Sequence, residues 1–393
     1  MNELSLLETV RALGPVLTEA RAETERGRRL APQLIAALDA ANLFRLAAPS
    51  ADGGLEAAPL TTLCVLEELA SVDAASAWIV WNHTLPALMS KFLHADVRRA
   101  LFAGPAHMLA NSTRPTGQAV RVSDGFRITG RWSLVSGCEL ADHILLRATI
   151  LPPTAAASAC PPPTAAAGNP PEVIMAYLPR SACRVLDTWH AGGLRGTGSH
   201  DLVVEDAYVP RSHCVWFDQI LQLTAALYRM PFAGVLSAGC GSLCLGIALG
   251  ALRTLTEIVQ SKQLTDVPLA LREQPRVLCE LARMQSSLAA ARLLLHDAVG
   301  QAWRSCETNE PVPMPVRASL FSAAQHAAKA ALHSVRSSYE LAGASALYES
   351  CPIERAHRDI HAATQHVILS ELWLEDAGRV ALGAAPRSPM FMV

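Results

Sequence analysis

Between Phe232 and Leu252 the chain reads FAGVLSAGCGSLCLGIALGAL without a charged residue, a length able to cross a bilayer as one helix. Few folds accommodate such a stretch in water, because every face of the helix it forms must be covered. Its five glycines, two serines and two cysteines make it only weakly hydrophobic, and such small residues suit close helix–helix contact. It also stands alone, with no flanking anchors, and so reads as the fully buried helix of a bundle and not as a membrane span. The composition agrees with that reading. Apolar residues make up 51% of the 393 while aromatics are only 5%, so the core is built mainly of Ala, Leu and Val, which favours helices.

Hydrophobic period divides the chain into three. Residues 1–106 read as a helical domain, with Leu30, Leu34, Ala37, Leu38 and Ala41 at helical spacing and a break at Pro49 and Gly53-Gly54. A second helical run covers Leu60–Ala70 and continues from Ala75, kinked or split at Pro86. From 107 to 215 the pattern alternates, with turn signals at Thr116-Gly117 and Asp124-Gly125, and reads as a β domain. Its expected strands include Phe126–Thr129, His143–Ile150, Val173–Leu178 and Asp201–Val209, and the Pro/Ala-rich stretch 151–172 is expected to be a long mobile loop. Residues 216–393 return to helical stripes, one from Val277 to Leu295 and another from Ile353 to Leu374. Four long helices are expected there, at 217–261, 275–305, 315–343 and 352–383. The fold class is α+β.

Several functions are excluded at this level. Thirty-three basic against thirty-five acidic residues, with no basic run, speak against a nucleic-acid partner. Ten cysteines without a C-x-x-C pair, and an acidic start where a signal peptide needs a basic one, read as a reduced, cytoplasmic protein with no membrane partner. His357 and His361 lie four apart but lack a third ligand at a recognisable spacing, so no metal site is expected. The stretch GLRGTGSHDLVVEDAYVP, Gly193 to Pro210, is not a dinucleotide fingerprint, because a strand follows its glycines and not a helix. Ser199-His200-Asp201 is not a triad, since neighbours in an extended segment point to opposite faces. What remains is a glycine-rich turn, either plain or brought close to something flat or anionic.

That order of segments, with TRPTGQAVRVSDGFRITGRWSLVSGCELADHILL, GLRGTGSHDLVVEDAYVP and LAGASALYESCPIERAHRDIHAATQH, resembles the acyl-CoA dehydrogenase superfamily over nearly the whole chain. Within it, the sequence is most similar to the flavin-dependent monooxygenase branch: oxygenase components of two-component aromatic hydroxylases and dibenzothiophene monooxygenase. The resemblance implies an N-terminal helical domain, a middle β-barrel and a C-terminal four-helix bundle. It implies reduced flavin, FMN or FAD, delivered by a separate NAD(P)H-dependent flavin reductase. With O2 as co-substrate, the flavin forms a C4a-hydroperoxide that oxygenates a small aromatic or natural-product substrate. A homotetramer or homodimer follows from the same likeness. The rival readings are an acyl-CoA dehydrogenase and a non-catalytic relative.

The resemblance also assigns residues. Many acyl-CoA dehydrogenases carry a catalytic glutamate soon after an E-R-x-x-R-D motif; here the motif is Glu354, Arg355, Arg358 and Asp359, and His366 stands at about the glutamate's place. His366 is thus the expected general base, seven residues after Asp359 and on the same helix face. His83 is expected in the substrate pocket, as a catalytic residue and the alternative base, and Ser136 near flavin N5, with Val135 or backbone as alternatives. Trp132 is expected to wall the flavin ring, with Arg195, Gly196 and Thr197 in the flavin-binding turn. Arg283, Arg292 and Gly343 fall where relatives reach the flavin phosphates, often across a subunit boundary.

Overall fold

The computed structural model describes residues 3–103, 108–152, 172–216, 219–263 and 269–392. Most of the segment expected to be a mobile loop, 153–171, lies outside them. Seven helices come first: α1 (Glu3–Ala12), α2 (Gly14–Glu19), α3 (Arg21–Gly27), α4 (Pro32–Ala40), α5 (Pro59–Ala70), α6 (Ala74–Met89) and α7 (Ala95–Phe102). Asp73 starts α6 by accepting the Ser76 N–H, and the helix carries Pro86 inside it without splitting. The Pro86 carbonyl instead accepts the Tyr177 hydroxyl at 2.6 Å, across the boundary between helices and sheet.

Seven strands follow: β1 (Leu109–Val122), β2 (Gly125–Val135), β3 (His143–Ile150), β4 (Val173–Pro179), β5 (Arg184–Leu186), β6 (His200–Pro210) and β7 (Cys214–Val215). Their order is β5-β6-β2-β1-β3-β4-β7, and among the described residues only β1 and β3 pair in parallel. Among the described residues the sheet is open, with β5 and β7 at its edges, where the resemblance implied a β-barrel. Alternation gives it two different faces. Leu145, Met175 and Tyr177 enter the helical core, while Ile144, Leu146, Ile174, Ala176 and Leu178 form a second core under the other face. Thr116-Gly117 is no turn: β1 runs through it, and its pairing with β3 shifts register between Ser112 and Gly117.

The remaining helices are α8 (Ala226–Arg229), α9 (Phe232–Ser261), α10 (Pro275–Glu307), α11 (Met314–Ala342), α12 (Pro352–Ala363) and α13 (Glu371–Ala381). The uncharged stretch lies in α9, which is buried among α5, α10, α11 and α12. Its small residues permit that closeness: a methyl on Gly246 would sit 2.5 Å from the Glu67 carbonyl oxygen. Two expected helices are broken. Pro231 caps α9 and separates it from α8, so 217–261 is not continuous. The 352–383 segment divides at Thr364–Ser370, where a short 3₁₀ turn, Val367–Leu369, buries Ile368 and Leu369. Residues 353–377 hold no Gly or Pro to announce the break. Side chains reinforce the backbone on both sides of it: Thr364 Oγ1 joins the Thr364 N–H at the Ile360 carbonyl, and Trp373 Nε1 joins the Ser370 N–H at that of Val367.

Candidate active site

A cleft of about 400 Å³ opens where α6, the start of β1, the end of β2, the Trp189–Ser199 segment and the Thr364–Ser370 break meet. That size falls within the roughly 300–1,000 Å³ of small-molecule sites. Trp78, Asn82 and Leu85 reach it from α6 at spacings of four and three, so they share one helix face. Leu134 enters from the end of β2 in the left-handed region, φ 60°, a conformation a leucine adopts only when its surroundings enforce it.

The most ordered part of the wall is a chain of hydroxyls. Trp78 Nε1–H donates to Ser136 Oγ at 3.1 Å. Ser136 Oγ lies 2.8 Å from Ser199 Oγ, which lies 2.7 Å from Thr197 Oγ1. Thr197 Oγ1 donates to the Leu194 carbonyl at 2.9 Å. Leu194 is held in turn by Asp359, whose Oδ1 accepts its N–H at 2.6 Å. Burial pushes the Asp359 carboxyl up to about 6, against the pull of the Arg355 guanidinium. Arg355 also pairs with Asp73, so the E-R-x-x-R-D helix, the glycine-rich turn and the start of α6 share one buried network.

His366 does not share a helix face with Asp359, because α12 has already ended at Ala363. The break carries it into the cleft, with its ring 5.8 Å from Trp78 and edge-on to it. Its Nδ1 accepts the Ile368 N–H at 3.2 Å, which places the proton of the neutral imidazole on Nε2. Removal from water, and secondarily the charge of Arg114, lowers its pKa to about 4, so the ring is neutral at physiological pH. Arg114 is the one basic guanidinium or amine lining the cleft, and no Asp or Glu lines it among the described residues. The polar remainder is Asn82, Asn111 and Gln365 with the hydroxyls; Asn82 Oδ1 is buried and accepts no hydrogen bond from the described residues.

Several expected site residues lie elsewhere. Trp132 is fully buried in the sheet's own core, its ring packed on Gly117 and Gly130 and its Nε1 donating to the Arg147 carbonyl. The indoles at the cleft are Trp78 and Trp189. His83 points behind α6, where Nδ1 accepts the Leu109 N–H at 2.7 Å; its neighbour Asn82 faces the cleft. Gly193 and Gly196 serve packing. A methyl on Gly193 would lie 2.1 Å from the Arg358 carbonyl oxygen, and one on Gly196 2.3 Å from Thr24. Arg195 lines a separate polar cleft beside Glu25, Arg26 and Arg358. Arg283 is exposed beside Glu280, and Arg292 ties α10 to α5 through Glu67. Gly343 ends α11 at φ 58°, beyond the cleft. Ser136, Thr197 and His366 are the expected residues that the fold brings together. Trp78, Asn82, Arg114 and Trp189 were missed, although the four-residue spacing of Trp78 and Asn82 was a visible signal; Ser199 ends the turn that the resemblance set near the flavin but was not singled out.

A flat aromatic ring system with its own N–H donors fits this cleft. Two indoles, an unsatisfied amide oxygen and the hydroxyls of Ser112, Thr113, Ser136, Thr197 and Ser199 line it, and its one cation among the described residues suits an anionic group.

The acyl-CoA dehydrogenase N-terminal domain model matches residues 3–102 and the C-terminal domain model residues 238–371. Indole-3-acetate monooxygenase from Pseudomonas putida is 28% identical over 365 residues, covering 93% of this chain and 90% of that protein. The oxygenase subunit HsaA, a flavin-dependent monooxygenase of Rhodococcus jostii, is 28% identical over 376 residues, 92% of this chain and 93% of the relative. XiaF from Streptomyces, solved with FADH2 and glycerol, has the same fold, with a TM-score of 0.90 over 98% of this chain and 97% of that one at 24% identity.

Proposed function

The chain belongs to the acyl-CoA dehydrogenase superfamily, in its flavin-dependent monooxygenase branch, and from that premise we propose that it is the oxygenase component of a two-component system. It takes reduced flavin, FMN or FAD, from a separate flavin reductase, and with O2 oxygenates a small aromatic or natural-product substrate. Reduced flavin, when bound, supplies the two electrons with which one oxygen atom goes to the substrate and the other to water.

One observation carries this reading over that of a dehydrogenase. Removing a proton beside a thioester calls for a carboxylate at the reacting centre, and none lines the cleft among the described residues; a neutral imidazole does. His366 offers an Nε2–H that hydrogen-bonds an oxygen gaining negative charge, whereas action as a base at Nε2 requires the proton to move to Nδ1 and the Ile368 contact to be given up. Ser136 and Asn82 hold the ring system's polar edge, Trp78 and Leu236 exclude water, and Arg114 receives an anionic group at the mouth.

The active form is a homodimer or homotetramer. The supporting features are α10, where Leu278, Leu293 and Leu294 are exposed, and the exposed pair Leu347-Tyr348 following Gly343. A subunit contact there gives Arg283 and Gly343 a role that neither has in the single chain. A cytoplasmic location completes the proposal, as does a C-terminal four-helix bundle whose last helix is divided.

The test supplies chemically reduced FMN or FADH2 with 18O2 and a panel of phenols and indoles. Incorporation of one labelled atom into product is expected. Rapid bleaching of bound oxidised flavin by an acyl-CoA would overturn the proposal in favour of a dehydrogenase.

A further inference from the structure

The hydroxyl chain in the cleft has a fixed direction, because neither of its ends can reverse. The Trp78 indole N–H only donates, and the Leu194 carbonyl only accepts. Between them lie Ser136, Ser199 and Thr197, so four hydrogens, one indole and three hydroxyl, serve four contacts. All four contacts are made only if Trp78 donates to Ser136, Ser136 to Ser199, Ser199 to Thr197 and Thr197 to Leu194. Reversing the run would leave two oxygens facing each other without a hydrogen, 2.9 Å apart at Leu194, in a site that is nearly closed to water.

The three hydroxyl hydrogens of this run are thereby committed inside the wall, and Ser136, Thr197 and Ser199 all line the cleft. Each oxygen retains one lone pair. Resting on the flavin reading above, we propose that Ser199 and Thr197 are positioning residues that lock Ser136 as a hydrogen-bond acceptor, so that the cleft selects reduced over oxidised flavin. Reduced flavin carries hydrogen on N5 and donates to such an oxygen. Oxidised N5 carries only a lone pair and meets another. Neither serine nor threonine changes charge near neutrality, so their part in the discrimination is set by hydrogen-bond direction.

The experiment is anaerobic equilibrium binding of FMN and FAD, each oxidised and dithionite-reduced, to the full-length protein. The wild type is expected to bind the reduced form roughly ten- to a hundredfold more tightly, the consequence of one satisfied against one opposed buried contact. In Ser199→Ala the Ser136 hydrogen loses its acceptor and turns to the cleft. In Thr197→Val the Ser199 hydrogen is released and the run reverses. Both variants should bring the ratio about tenfold closer to one, chiefly by tightening oxidised flavin, while Thr197→Ser retains the wild-type ratio. A wild-type ratio near one overturns the proposal without any variant needing to fold. So does an equal loss of both affinities in Ser199→Ala and Thr197→Val, the signature of mere packing damage. Failure of the wild type to bind either form removes the flavin reading itself and this proposal with it.

Discussion

Replacing His366 by glutamine and by asparagine separates two roles that alanine confounds. The Asn side chain occupies about the place of Nδ1 and keeps an acceptor for the Ile368 N–H, but it offers nothing at Nε2. Gln reaches the Nε2 position with an N–H yet cannot act as a base. With Nδ1 already accepting from Ile368 at 3.2 Å, the neutral ring donates from Nε2. A hydrogen bond to an oxygen gaining charge is worth about 1.5–3 kcal/mol, or roughly ten- to a hundredfold in rate. His366→Asn and His366→Ala should therefore lose about that much product formation and release hydrogen peroxide instead, measured with reductase, reduced flavin and O2. His366→Gln should stay within about tenfold of the parent. Ala should also lose about 1 kcal/mol of stability with the cap, which Asn retains. The imidazole at about 4 gives a second check. Its unfolded value is near 6.5, so its contribution to stability is complete above about pH 6.5 and is lost as pH falls toward about 4. The Gln variant should lack that component of acid sensitivity. If Gln is as inactive as Ala while binding flavin normally, His366 is a base and the donor argument is wrong.

Three further outcomes follow from the same geometry. Asp359→Ala strands the Leu194 N–H and should cost about 1–3 kcal/mol in denaturant unfolding. Asp359→Asn should keep most of that stability and remove the decline that the buried carboxyl, raised to about 6, imposes as pH rises from about 4 through 6. Arg114→Gln removes a charge that lowers His366, so the imidazole midpoint should move upward in an NMR titration; an unmoved or lowered midpoint contradicts the placement of Arg114. Gly193→Ala forces a methyl to within 2.1 Å of the Arg358 carbonyl oxygen and should cost about 1–3 kcal/mol in thermal unfolding, with α12 and the turn displaced together.

Local pattern alone determined a good deal of this protein. A period of 3.6 residues giving way to a period of two and back again specified helices, then a sheet, then helices, because side-chain direction repeats with the backbone that carries it. The uncharged Phe232–Leu252 stretch specified a covered helix, and the glycines at 193 and 196 announced a close approach. What they approach is helix backbone and Thr24, which no local signal states. The cleft itself was decided only in three dimensions. Its walls come from residues 78 through 367, and whether Trp78 or Trp132, Asn82 or His83, faces it depends on which surface each element buries. The same is true of His366. Helical spacing ran on through it without a Gly or Pro, yet the helix stops there, with Ile368 and Leu369 buried in the core and the Ile368 N–H taken by the His366 ring. The direction of the hydroxyl chain has the same origin: Trp78 and Leu194, distant in sequence, fix it only because the fold sets them at its two ends.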